Sequence, residues 1–178
     1  MIIDVYLKCI AWLDRQAGLL PLTARLVFAG VLAGYFLASA GTKIDSFPFG
    51  LSLGAYAQIY PRAFEAVGYD ASAMTLWHKI VVLSGTYAEY ILPVAIVIGL
   101  CTRLAALGMI GFVLVQSATD IWGHKVGVDT IGLWFDRDPA ALIADQRALW
   151  LVLLLVLVFR GAGALSFDRL FAQRRMWG

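Results

Sequence analysis

Four apolar runs dominate this chain, at about 22–40, 80–100, 104–118 and 148–164. Each approaches the length at which a helix crosses bilayer hydrocarbon, about 20 residues for about 30 Å at 1.5 Å per residue. Such runs leave few folds open, because a spanning segment must satisfy its backbone amides internally, as a helix does. The expected fold is therefore all-α: an integral membrane four-helix bundle forming one domain, 1–178. Composition agrees. The 178 residues are 61% hydrophobic and 15% charged, against about half and about one quarter in soluble domains. A net charge of +2 gives no case for nucleic acid as a partner.

The connecting segments set the topology. Residues 4–19 alternate apolar residues with Asp4, Lys8, Asp14 and Arg15 and read as an amphipathic interfacial helix. They lack the compact apolar core of a cleavable signal peptide. Gly18 and Pro21 punctuate its end. Residues 42–79, broken by Pro48, Gly50, Gly54, Pro61 and Gly68, read as an outer loop with one or two short helices. Only Cys101-Thr102-Arg103 separates the second and third spans, so they form an antiparallel hairpin. Residues 119–147 make a second outer loop, and 165–178 a tail. Cys9 and Cys101 form no CxxC pair and read as unpaired thiols.

With four spans, both termini and the 101–103 turn share one side. That side carries Lys8, Arg15, Arg25, Arg103, Arg160, Arg169, Arg174 and Arg175. The other carries Lys43, Arg62, Lys79, Lys125, Arg137 and Arg147, spread over more loop. The denser basic side, with both termini, is expected in the cytoplasm, and the chain is expected to be an integral inner-membrane protein.

Several short segments in order resemble the DoxX family of small bacterial membrane proteins. They are Ala24-Arg25-Leu26 opening the first span, Gly41-Thr42-Lys43 closing it, Glu89 inside the second, Gly99 through Ala106 at the tight turn, and Gly161 through Arg169 ending the fourth. The resemblance covers about residues 22–170 and implies a four-helix membrane bundle. Relatives in that family include the DoxD-type subunit of thiosulfate:quinone oxidoreductase and membrane partners of redox or stress-defence proteins. The long aromatic first loop and the Asp- and Trp-rich second loop depart from the family pattern.

Glu89 is the most informative residue. An ionised carboxylate at mid-bilayer costs about 2.5–3.5 kcal/mol on insertion scales, so intramembrane acids mark functional sites or buried pairs. It lies roughly 14 Å along its span at 1.5 Å per residue. It reads either as a proton-accepting, quinone-contacting acid or as a structural pair with Lys43 or Arg25. Tyr87 and Tyr90 flank it as hydrogen-bond donors. Gln116, Asp120 and His124, spaced by four, share one helix face if the third helix continues outward, read either as a route for protons or as a polar helix end pairing with its neighbours. Glu89, His124, Asp120 and Lys43 are thus the candidates for catalysis, and Tyr87, Tyr90 and Gln116 for quinone contact.

Arg25 is expected to snorkel to phosphates. Arg25, Arg103 and Asp168 are expected to be structural charges, with Asp168 paired to Arg169 or Arg169 at lipid headgroups. His78 and His124 are weak metal or haem candidates, since no HxxxH or CxxCH accompanies them. The Asp129–Asp145 stretch lacks the register of a calcium loop. No Walker, dinucleotide or serine-hydrolase motif is present.

Two functions follow as expectations. One is a redox-linked, quinone-interacting membrane subunit whose electrons come from a membrane or periplasmic protein partner or from a soluble donor. The other is a non-enzymatic assembly or anchoring subunit of a larger membrane complex. A small-solute transporter fits less well, since no discontinuous helix pair or inverted repeat is visible.

Overall fold

The structure, a computed structural model, describes residues 2–175. Met1 and the last three residues of the expected tail lie outside the described residues. The chain is mostly helical, 74% helix and 3% strand. Helix α1, Ile2–Arg15, exposes Ile3, Val5, Tyr6, Leu7 and Trp12. A tight turn at Gln16–Leu19 leads into α2, Leu20–Gly41. Pro21 opens α2, where its missing N–H costs nothing.

A two-stranded hairpin follows, β1 Ile44–Ser46 and β2 Gly50–Leu51, then short helices α3 Leu53–Ile59 and α4 Pro61–Ala66. Helix α5 is Leu76–Ile98, α6 Thr102–His124, α7 Val128–Ile131, α8 Leu142–Arg160 and α9 Phe167–Arg175.

Helices α2, α5, α6 and α8 are long and apolar enough to cross a membrane, with mean hydropathies of 1.6, 1.8, 1.6 and 2.1. They pack in a closed circuit: α2 against α5 and α8, and α6 against α5 and α8. Their shared core contains Phe28, Leu32, Phe36, Ile96, Met109, Val113, Leu154 and Leu157. Yet Leu26, Val31, Ile91, Leu104, Leu114, Leu149, Val152 and Phe159 stay exposed. So much outward apolar surface calls for an apolar surrounding.

Two boundaries differ by six residues from those read in the sequence, the largest shifts among the four spans. Helix α6 runs on to His124 instead of ending near 118, and α8 starts at Leu142 instead of 148. Hydropathy falls at Asp120 and Arg147, which suggested loop. The two side chains pair with each other at 2.6 Å, and a neutralised pair lets both helices continue. Each carries a wide π-helical turn there, Thr119–His124 and Leu142–Arg147.

A second, smaller core of Ala55, Tyr56, Phe64, Met74 and Val82 seats α3 and α4 over the start of α5. Tyr56 stacks on Phe64 at 5.6 Å and Phe64 meets Tyr69 edge-on at 5.4 Å. This cap fixes one end of the groove described next.

Candidate functional site

Helix α2 ends at Gly41, and the chain turns at once into the hairpin. Ser52 holds that turn: its N–H donates to the Lys43 carbonyl at 3.0 Å and its hydroxyl to the Thr42 carbonyl at 2.9 Å. With its backbone pinned, Lys43 folds its side chain inward and is only 3% exposed. Its Nζ donates to Glu89 Oε2 at 2.8 Å and Oε1 at 3.1 Å, and to Ser39 Oγ at 2.6 Å. Ser39 Oγ in turn donates to Glu89 Oε1 at 3.3 Å. Ser39 stands four residues before Lys43, on the same helix face. The three side chains form a buried network in which the ammonium has a partner for each proton, as a buried charge requires.

Pro93 lies one turn past Glu89. It has no N–H, so it cannot donate to the Glu89 carbonyl, and the helical ladder opens beside the ion pair.

The network forms part of the wall of a groove between α5 and α6 with a volume of about 510 Å³. Helices α5 and α6 approach closely at Gly108, where an added Cβ would lie 3.1 Å from the Leu92 side chain. Gly85, Ala88 and Gly111 line the groove with little bulk, while Ile80, Val81, Leu92, Phe112 and Val115 make it apolar. Trp77, Ile80 and Val115 are exposed at its mouth. Ile59 packs on Gly85 and Pro61 on Gly123, so the α3–α4 cap covers the groove where the start of α5 meets the end of α6.

Polar groups punctuate this wall. Gln116 Nε2 donates to Tyr35 Oη at 2.9 Å. Asp120 accepts from Arg147 Nη2 at 2.6 Å, and Arg147 Nη1 donates to Ser117 at 3.0 Å. His124 Nε2 lies 3.0 Å from the Gln58 carbonyl. Gln116, Asp120 and His124 all line the groove with Lys43 and Glu89. Four of the expected candidates for catalysis and one for quinone contact thus share one cavity.

Other expectations are corrected. Tyr87 and Tyr90 do not line the groove. At 100° per residue, positions two before and one after Glu89 point elsewhere; Tyr87 Oη donates to the Pro48 carbonyl, and Tyr90 Oη lies near Gly41. Arg25 does not reach outward. It is 7% exposed, and its guanidinium donates to the carbonyls of Ile96 at 3.0 Å, Val97 at 2.6 Å, Ala162 at 2.9 Å and Leu165 at 2.5 Å. The last carbonyls of α5 lack helical partners, and a five-donor planar fork suits them.

Asp168 does not pair with Arg169. Its two oxygens accept from the backbone N–H of Cys101 at 2.6 Å and Thr102 at 2.9 Å. Cys101 offers no side-chain cap to α6, so a carboxylate from the tail serves, where the helix dipole favours it. Arg103 is exposed, beside Gly161. Arg147, read as a loop residue, is 2% exposed.

His78 accepts or donates to Thr75 at 2.7 Å and meets Tyr60 edge-on at 4.6 Å, apart from His124 in its partners. Among the described residues no three His, Cys, Asp or Glu side chains converge as a metal site would need. Cys9 and Cys101 are free and exposed.

Sequence reading missed Ser39, Tyr35 and Arg147. Ser39 was accessible from its four-residue offset to Lys43. Tyr35 and Arg147 act across helices and leave no local signal. No protein-family model, curated protein or solved structure matches the chain.

Proposed function

We propose that this is a multi-pass inner-membrane protein, a four-helix bundle of DoxX-like character with cytoplasmic termini, whose groove admits a quinone or quinol. The observation that carries this reading is the groove itself. It is mainly apolar, lies between two spanning-type helices, and has the Lys43–Ser39–Glu89 network in its wall. A ring with two oxygens and an apolar tail fits such a lining: the oxygens meet Gln116 or Tyr35 beside the Lys43–Glu89 pair, and the tail leaves past Ile80 and Val115.

Reducing a quinone takes up two electrons and two protons; oxidising a quinol returns them. Glu89 or Lys43 would exchange protons at a positioned oxygen. Asp120 and His124 continue the polar line toward the outer end. The chain would draw its electrons from a membrane or periplasmic partner.

A second reading, an assembly or anchoring subunit, is favoured by a different observation. The buried Lys43–Glu89 pair is fully hydrogen-bonded, as a register pin would be. Gly30 and Gly34 also leave a bare strip on α2, with nothing within 4 Å of an added Cβ, where another helix can approach closely.

Purification in mild detergent, with lipid extraction, mass spectrometry and an optical spectrum, separates the two. Gly111→Leu fills the groove from a position with nothing within 4 Å and leaves the ion pair intact. Quinone that accompanies the wild type and is lost in G111L and Glu89→Gln supports the first reading. Quinone retained in G111L, or a quinone-free protein in a stoichiometric partner complex, removes it.

A further inference from the structure

At the end of the helices away from the groove, a cavity of about 560 Å³ is lined by Arg103, Arg160 and Arg169. The three arginines come from three different elements: the first turn of α6, the last residue of α8 and the first turn of α9. The two salt bridges seen among the described residues involve none of them. The one carboxylate on the wall, Asp168, has both oxygens occupied by the amides of Cys101 and Thr102. Arg25, nearby, is spent on four carbonyls.

A cation at a helix C-terminus is favourable on its own, which accounts for Arg160. It does not account for Arg103, which sits at a helix N-terminus where the dipole opposes a cation. Thr102 stands on the same wall, wholly buried, and its hydroxyl has no hydrogen-bond partner among the described residues. A buried polar atom without a partner is rare enough to call for one.

An apolar cleft of about 330 Å³, lined by Ile98, Leu165, Phe167 and Leu170, adjoins this cavity and shares Ser166 and Arg169 with it. Leu104, Leu165 and Leu170 are exposed around the two. Anionic headgroup beside acyl chain is the layout of a phospholipid, and guanidinium forks match phosphate oxygens. Basic pockets between spanning helices on the cytoplasmic side hold such headgroups.

We propose that Arg103, Arg160 and Arg169 form a binding site for the phosphodiester of an anionic phospholipid, with an acyl chain in the adjoining cleft. The site rests on the membrane reading above and is independent of the quinone groove. It also ties the α5–α6 turn to the end of α8 and to α9, so an occupied site would brace the cytoplasmic end.

The test is native mass spectrometry of the full-length protein released from detergent, with phosphatidylglycerol and phosphatidylcholine of equal chain length. Phosphatidylglycerol should stay bound through delipidation at least about tenfold better than phosphatidylcholine. The Arg103→Gln, Arg160→Gln, Arg169→Gln triple variant should lose that preference, while Arg137→Gln, in the loop between α7 and α8, keeps it.

Thermal unfolding of the wild type keeps the test decisive if the triple variant misfolds. Phosphatidylglycerol should raise Tm, and phosphatidylcholine or millimolar inorganic phosphate should not. Equal retention of the two lipids would overturn the site while leaving the membrane reading intact. Stabilisation by inorganic phosphate alone would overturn the lipid assignment.

Discussion

Lys43 Nζ and Glu89 Oε2 lie 2.8 Å apart, with their side chains 3% and 4% exposed. Removing one partner strands a buried charge, which costs about 3–5 kcal/mol, whereas replacing both with apolar residues of similar volume is often neutral. Lys43→Met and Glu89→Met should therefore each lower Tm in detergent sharply. The K43M/E89M double variant should recover most of the loss. A double variant as unstable as the sum of the singles would mean that the two residues act separately. In the redox reading the recovered double variant still fails to hold quinone; in the anchoring reading it still assembles.

Arg25 bridges α2 to the end of α5 and to residues 162–165 through four carbonyls. Each buried carbonyl left without a donor costs about 1–3 kcal/mol. Arg25→Met should abolish a monodisperse peak in fluorescence-detected size exclusion. Arg25→Lys keeps charge but offers three donors on a flexible stem, and should fold with a markedly lower Tm. An R25M protein as stable as the wild type would show that the bridge is dispensable.

Gly99 and Gly34 make a matched contrast. Gly99 has φ +73°, and an added Cβ would sit 2.6 Å from Ser166 Cβ and 2.9 Å from Arg25 Cζ. Left-handed backbone costs an L-residue about 1–2 kcal/mol, and the clash would push the Arg25 fork off its carbonyls. Gly34 is helical and open, where Ala improves on Gly by about 1 kcal/mol. Thermal melts should therefore show Gly99→Ala strongly destabilised and Gly34→Ala unchanged or improved. If a partner helix packs on the bare strip, G34A will leave the isolated protein stable but weaken the complex.

Much of this was legible from hydropathy and spacing. Long apolar runs fix helix and approximate length, so α2 and α5 emerge close to the stretches read from the sequence. Lys43 and Glu89 stand out because charge amid apolar residues needs a reason. The limits lie where two distant residues cancel each other. Asp120 and Arg147 each look like loop in isolation, and only their pairing at 2.6 Å keeps both inside helices. Arg25 and Asp168 were misjudged for a related reason. Their partners are backbone groups exposed by helix ends, and the sequence does not display which helix end lies beside which side chain. The hairpin at 44–51, with two and three residues per strand, is too short for an alternating pattern to register.

Cys9 and Cys101 offer a direct test of topology, because both are free and exposed. Cys9 precedes α2, and Cys101 follows α2 and α5. If α2 and α5 both cross, the two thiols lie on one face of the membrane, the cytoplasmic face if the denser basic side lies inward. A membrane-impermeant maleimide should leave both unlabelled in intact spheroplasts and label both in inverted vesicles. Val128, 79% exposed on α7 just after α6, supplies the opposite probe: with α6 as a third crossing, Val128→Cys should label in spheroplasts. The fully reversed pattern would invert the orientation while keeping four crossings. Labelling of Cys9 and Cys101 from opposite faces would mean that α2 or α5 does not cross, and the groove between α5 and α6 would then not open within the bilayer.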